Sequence, residues 1–65
     1  MKVRRKSNLT GNTSIMEIAV NPMQIFAWQN GELAQNAMPN LSADEREFIM
    51  TGITPDEWAS VFGED

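Results

Sequence analysis

Two helix starts separated by a glycine lie in the last third of this sequence, and they constrain the fold more than any other feature. Ser42 begins a Ser-Ala-Asp-Glu segment, and Thr54 begins a Thr-Pro-Asp-Glu segment. In each segment a hydroxyl residue precedes a glutamate by three positions, which is the capping box that opens a helix. Gly52, between the two, is typical of the residue that ends one. The pattern predicts one helix over about 43–51 and a second over 55–62.

Upstream of these helices, residues 2–20 have the pattern of a β-hairpin. Side chains alternate in character from Lys2 to Leu9 and again from Ile15 to Val20, which is the period of a strand with one buried face. The segment 10–13 between them, Thr-Gly-Asn-Thr, is rich in turn-forming residues. We expect the buried face of the second strand to carry Met16, Ile18 and Val20.

Two shorter helical segments connect the hairpin to the capped pair. Asn21 and Gln24 form a further capping box around Pro22, which fits the first helical position. The Asn-Gly pair at 30–31 predicts the end of that helix after two to three turns. The stretch 32–38 permits a second short helix before a proline. Its expected buried side is Leu33, Ala37 and Met38.

Together these segments predict an α+β fold in which an N-terminal two-stranded antiparallel hairpin packs on three to four short helices. Residues 1–65 form a single small domain, with the hairpin over 2–20 and the helical part over 22–62. An isolated hairpin is marginal in water, so its apolar face must lie on the helices. The expected core is Val3, Leu9, Met16, Ile18, Val20, Ile25, Trp28, Leu33, Leu41, Phe48, Ile49, Ile53, Trp58, Val61 and Phe62.

Composition argues against several classes of function. The chain has no cysteine, histidine or tyrosine, so disulfides, the usual zinc sites and the commonest general bases and nucleophiles are missing. Carboxylate pairs such as Asp44 with Glu47 and Asp56 with Glu57 lie at helix starts, where capping explains them. The acidic cluster 44–47 also lacks the spaced ligands and central glycine of a calcium loop. We expect a non-enzymatic protein without cofactor, metal or membrane partner.

Charge is distributed unevenly along the chain, which has a net charge of −4 at pH 7. Four cations fall within the first six residues: Lys2, Arg4, Arg5 and Lys6. The remaining sequence holds nine acids and only Arg46. On a strand, alternate cations of the basic segment lie about 7 Å apart, close to the phosphate repeat of an extended single-stranded nucleic acid.

This asymmetry supports two opposite hypotheses about nucleic acid. The basic segment, whether a strand or a loose tail over residues 1–8, is a candidate nucleic-acid contact, although no aromatic residue is interleaved to stack on bases. Alternatively, the acids imitate a nucleic-acid surface and block a basic site on a host enzyme.

Protein binding is the remaining class, and a tryptophan near a predicted helix end is its main indication. Tryptophan is enriched among the residues that dominate binding energy, and Trp28 is placed equally well in the core or on the surface. Self-association also remains open. The candidate partner surface combines this ring with neighbouring polar residues: Trp28, Gln29, Asn30, Glu32 and Gln35.

The segment 31–58 contains the stretches LSADEREF and TGITPDEW. It resembles small uncharacterised proteins encoded by bacteriophages that share an LSxxEREFxxTGxTPEEW signature, and the basic first strand with Leu9-Thr10-Gly11 is similar as well. The resemblance implies a phage accessory protein that binds a host or virion protein, in the cytoplasm of the host bacterium or in the virion. It implies no activity, cofactor or site residue. Ala59 stands where an acid is expected after the tryptophan.

Overall fold

A computed structural model describes residues 1–63 as a hairpin followed by four helices. Strand β1 (Lys2–Lys6) pairs antiparallel with β2 (Thr13–Glu17). The helices are α1 (Pro22–Gln29), α2 (Ala34–Ala37), α3 (Ala43–Thr51) and α4 (Pro55–Phe62). The predicted α+β class is confirmed. The capping boxes start α3 and α4 at the predicted residues, and both helices have the predicted bounds.

The hairpin turns earlier than the alternating pattern predicts, because Ser7 folds the chain back at the end of β1. Its hydroxyl accepts hydrogen bonds from the backbone amides of Leu9 and Thr10, at 3.1 and 3.2 Å. Its own amide donates to the carbonyl of Asn12 at 2.8 Å. Such local bonding competes with continuation of the strand ladder. Leu9, expected in the core, therefore lies in the turn and is exposed.

The inner face of the hairpin is the one that the alternation predicts. Val3 pairs with Met16 across the two strands, and both turn toward the helices. Beyond β2 the alternation continues, so Ile18 and Val20 are buried. The backbone of Ile18 extends the pairing, since its amide donates to the carbonyl of Met1 at 2.9 Å. Residues 2–6 thus form a strand and not a loose tail.

The core lies between this inner face and the helical part. Eight buried side chains form one cluster: Val3, Ile18, Val20, Ala37, Met38, Leu41, Phe48 and Ile49. Partly buried residues pack against it: Met16, Ile25, Ala27, Trp28 and Ala34. Ile53 is buried as well. Of the predicted buried side of α2, Ala37 and Met38 are in the core, but Leu33 precedes the helix and is 63% exposed.

The end of β1 closes the C-terminal end of α3. Gly52 adopts a left-handed conformation with φ of 79°, and a Cβ at this position would collide with the carbonyl oxygen of Lys6. The amide of Asn8 donates to the carbonyl of Thr51 at 2.9 Å. The guanidinium of Arg5 donates to the carbonyl of Met50 at 3.4 Å. A cation at the C-terminal end of a helix also interacts favourably with the helix dipole. Only glycine fits this junction.

The predicted inward stripe of α4 is wrong. Trp58, Val61 and Phe62 are 37%, 51% and 59% exposed, and none of the eight residues of the helix is buried. The ring of Trp58 packs on that of Phe62 with centroids 4.6 Å apart. The chain leaves the core after Ile53, so α4 is attached at its start while its apolar face stays uncovered. The described chain is correspondingly elongated, 37 Å by 20 Å by 19 Å.

Candidate functional site

An open groove of about 360 Å³ between α2 and α3 is the candidate binding site. Its walls are Leu33, Ala34 and Gln35 on the side of α2, and Ala43, Arg46, Glu47 and Met50 on the side of α3. Leu33 and Met50 are both exposed, so the groove presents apolar surface to solvent.

Helical periodicity explains why α3 supplies one whole wall. Positions 43, 46, 47 and 50 follow the spacing i, i+3, i+4, i+7, which places their side chains along one stripe of a helix. Phe48 and Ile49 point to the core from the opposite side. Ser42 fixes the start of the helix, since its side chain accepts from the amide of Glu45 at 3.1 Å. One capped helix therefore serves the core and the groove at once.

Arg46 gives the groove a fixed positive charge. Its Nη1 donates to the carbonyls of Leu41, at 2.7 Å, and Met38, at 3.1 Å. These bonds hold the guanidinium against the loop that joins α2 and α3. Glu47 and Gln35 add a carboxylate and an amide to the walls. The walls thus combine the exposed apolar side chains of Leu33 and Met50 with a cation, a carboxylate and an amide.

The predicted partner surface surrounds the end of α1 and reaches the groove at one residue. Trp28 is half-buried and packs against the core. It therefore lies between the two alternatives that the sequence left open, the core and the surface. Gln29, Asn30 and Glu32 are exposed. Of the five predicted residues, Gln35 is the one that lines the groove. That this surface binds a partner stays a prediction.

The sequence interpretation missed most of the groove. Leu33 was expected in the core, and Arg46 was considered only as an isolated cation. Met50 was not assigned to any surface. The usable signal was the polar and small stripe of α3, which runs alongside the apolar positions of the same helix. Predicting that this stripe faces α2 requires the conformation of the loop between the two helices, and local sequence patterns do not specify that conformation.

The candidate nucleic-acid residues divide between the two faces of β1. Lys2, Arg4 and Lys6 are exposed on the outer face, whereas Arg5 lies on the inner face against the end of α3. Within residues 1–63, the ion pair present is that of the Met1 amine with Glu17, at 3.2 Å. The three outward cations therefore form no ion pair with a nitrogen–oxygen distance within 4.0 Å in this part of the chain, although Glu17 lies across from Lys2 in the strand register.

Two of the acids at the helix starts, Glu45 and Glu57, bond to the backbone. The side chains of Glu45 and Glu57 accept from the amides of their own N-cap residues, at 2.9 and 3.3 Å. Glu57 also accepts a hydrogen bond from the hydroxyl of Thr10, and this bond, more than any other contact, lowers the pKa of its carboxyl group. Desolvation acts in the opposite direction but does not reverse the shift. The bond attaches the start of α4 to the hairpin turn.

Across positions 1–63, no three acidic side chains are grouped so that they could hold a metal ion. No helix in that range is long and apolar enough to cross a membrane.

Comparison with known proteins identifies no relative of this chain. No protein-family model, curated protein or solved structure matches it. Function is therefore inferred from the geometry of the groove, the basic strand and the helix faces.

Proposed function

We propose that this chain is a non-enzymatic bacteriophage accessory protein that binds a host or virion protein through the groove between α2 and α3. The observation that carries the proposal is the exposed apolar surface of Leu33 and Met50, which lie on opposite walls of a groove of about 360 Å³. Leu33 is 63% exposed, although a small domain needs most of its large apolar residues for the core. Exposed apolar surface rimmed by polar residues is typical of protein interaction sites.

The groove favours a short peptide segment or loop as its ligand. An apolar side chain of the partner would fill the space between Leu33 and Met50, while Arg46 offers its remaining guanidinium protons to a carbonyl or carboxylate. Gln29, Asn30 and Glu32, on the adjoining surface, supply the polar rim of the proposed interface. The phage source and the location, host cytoplasm or virion, rest on the LSxxEREFxxTGxTPEEW resemblance.

The test is a tagged pull-down from bacterial host lysate treated with nuclease, followed by mass spectrometry. We expect one stoichiometric protein, whose affinity for the purified chain is then measured with two variants. Leu33→Ala should weaken binding about tenfold or more, the effect of losing roughly 1.4 kcal/mol of contact. Leu9→Ala removes an exposed leucine from the hairpin turn and should leave affinity unchanged. Equal effects of the two variants would contradict the groove as the binding site.

Nucleic-acid binding through β1 is the second candidate function. It is favoured by the row of three outward cations, none of which forms a close ion pair within residues 1–63. The measurement is the affinity for a fluorescent single-stranded oligonucleotide across a salt series. The hypothesis predicts a steep fall of affinity with salt and loss of binding in Arg4→Glu. Absence of binding at low salt would reject it.

A further inference from the structure

We propose that two copies of this chain pair through the free edge of β2 and join their hairpins into one four-stranded antiparallel sheet. The contact is two-fold symmetric and consists mainly of backbone hydrogen bonds. It lies outside the groove between α2 and α3, so it goes beyond the proposed function and does not depend on it.

The hydrogen bonds of the hairpin show which backbone groups of β2 are already paired. Met1 and Ile18 exchange two bonds: the amine of Met1 donates to the carbonyl of Ile18 at 2.6 Å, and the amide of Ile18 donates back at 2.9 Å. Bonded and non-bonded pairs alternate along an antiparallel ladder. In the register of this hairpin, the even positions of β2 are therefore bonded to β1. The amides and carbonyls of Thr13, Ile15 and Glu17 face the free edge.

This edge of β2 is open. Outside the ladder, no hydrogen bond within residues 1–63 reaches the backbone of Thr13, Ile15 or Glu17. Among the helices, α3 has extensive contact with the hairpin, and it packs on β1. The five residues of β2 include no proline and no lysine, which commonly protect an exposed edge from pairing. The edge is therefore able to receive a further strand by backbone hydrogen bonding.

Charge distinguishes the two edges of the hairpin. The edge-facing positions of β1 are Lys2, Arg4 and Lys6, so two β1 edges in contact would place cations side by side. Like charges directly opposite one another destabilise a sheet. The charged residue of β2 is Glu17, and the Met1 amine lies 3.2 Å from its carboxylate. Two copies can therefore meet at β2 with the cations left on the outer strands.

The register of β2 on itself selects a second copy as the added strand. With Ile15 opposite the partner's Ile15, all five residues of each strand are paired. Ile15 is 61% exposed in the single chain, and in this register it gains an apolar neighbour. Glu17 then lies opposite the partner's Thr13, so no like charges face each other across the contact. Directly opposed side chains lie close enough to pack.

The expected association is weak. A contact limited to one short strand buries less than the roughly 800 Å² per partner of a standard interface. Its gain is that two marginal two-stranded sheets become one sheet of four strands. A two-fold axis normal to the sheet generates the antiparallel pairing and closes the dimer, so growth stops at two copies.

The first experiment is sedimentation velocity of the whole chain up to millimolar concentration. We expect the apparent mass to rise from 7.3 kDa toward twice that value. Ile15→Pro removes an edge-facing amide and no ladder bond, so it should weaken association about tenfold or more. Ile15→Ala keeps the amide and should weaken it less. Arg4→Pro is the matched control, because it removes the edge-facing amide directly across the ladder on β1, and it should leave association unchanged.

Amide hydrogen exchange of the unaltered chain, measured by NMR at increasing concentration, tests the same contact without a substitution. The amides of Thr13, Ile15 and Glu17 should exchange more slowly as the dimer forms, whereas those of Ser14 and Met16 should be protected throughout. A chain that stays monomeric at millimolar concentration would overturn the proposal. Association without this new protection, or a folded Ile15→Pro variant that associates normally, would also overturn it. Leu33→Ala should leave self-association intact, which separates this result from the groove proposal.

Discussion

α3 and α4 each begin at a hydroxyl residue that caps the third backbone amide, yet α3 contributes two buried side chains to the core and α4 contributes none. Ser42 accepts from the amide of Glu45 at 3.1 Å, and Thr54 accepts from the amide of Glu57 at 3.2 Å. The helices have nine and eight residues. Phe48 in α3 is fully buried, whereas every residue of α4 remains at least partly accessible.

The difference shows that the cap determines where a helix begins, whereas the contacts of the segments before and after the helix determine whether the helix is buried. α3 is held at both ends, by buried Leu41 before it and by Gly52 against Lys6 after it. α4 is held at its start, through Glu57 and Thr10, and extends from there. Equal local signals therefore lead to unequal packing.

The largest expected effect separates the aromatic residues of the two helices. Phe48→Ala should lower the free energy of unfolding by about 3–5 kcal/mol, because the ring is fully buried and leaves a cavity. Trp58→Ala, in α4, should lower it by about 1 kcal/mol or less. Urea unfolding followed by circular dichroism measures both without relying on tryptophan fluorescence. Similar losses would mean that α4 belongs to the core.

The next effect tests the junction that holds the end of α3. Gly52→Ala should destabilise the fold by about 3 kcal/mol, because the new methyl group meets the carbonyl of Lys6 and the φ of 79° disfavours a side chain. Gly31→Ala is the matched control: its φ is 105°, but apart from its chain neighbours no heavy atom lies within 4 Å of where the new methyl carbon would be. It should cost only the backbone strain, about 1 kcal/mol. Equal losses would remove the steric role of Lys6.

A smaller effect compares the two caps. Ser42→Ala and Thr54→Ala each remove one bond to a backbone amide, which costs about 1 kcal/mol. In α3 this loss should appear in global unfolding, since the helix carries the core. In α4 it should appear mainly as faster local hydrogen exchange at residues 57–62. Exchange that accelerates throughout the chain in Thr54→Ala would argue against independent opening of α4.

The smallest effect concerns the attachment of α4. The hydrogen bond from Thr10 lowers the pKa of Glu57 below its ordinary 4.5 in the folded chain, so the carboxylate favours folding. This contribution is complete above about pH 4.5 and is lost as pH falls through the lowered pKa. Thr10→Ala should raise that pKa in an NMR titration. Thr13→Ala, an exposed threonine on β2, should not change it.

The parts of the fold that the sequence predicted well are those with local causes. Caps such as Ser42 and Thr54, and glycines such as Gly31 and Gly52, act within a few residues, so the helix bounds were predictable. The exposed positions of Leu9, Leu33, Trp58, Val61 and Phe62 were not. Periodicity shows which residues share a face, but whether anything covers that face depends on the direction in which the chain continues.

The candidate site was less predictable than the fold for the same reason. Gln35 is exposed and lines the groove, but the residues across from it, Arg46 and Met50, come from another helix. The outward cations of β1 were predictable, because alternation along a strand is local. The same alternation separates Arg5 from them, but its contact with the carbonyl of Met50 was not predictable, since that contact depends on the end of α3 packing on the inner face.

The closure of α3 by the hairpin has a consequence for the order of folding. The carbonyl of Met50 receives a hydrogen bond from Arg5, 45 positions earlier, and the carbonyl of Thr51 receives one from Asn8. The final turn of α3 thus gains these hydrogen bonds only once the end of β1 has packed against it. Such long-range closure slows folding and makes it cooperative. We expect residues 1–53 to form in one step around this junction, and α4 to be added last.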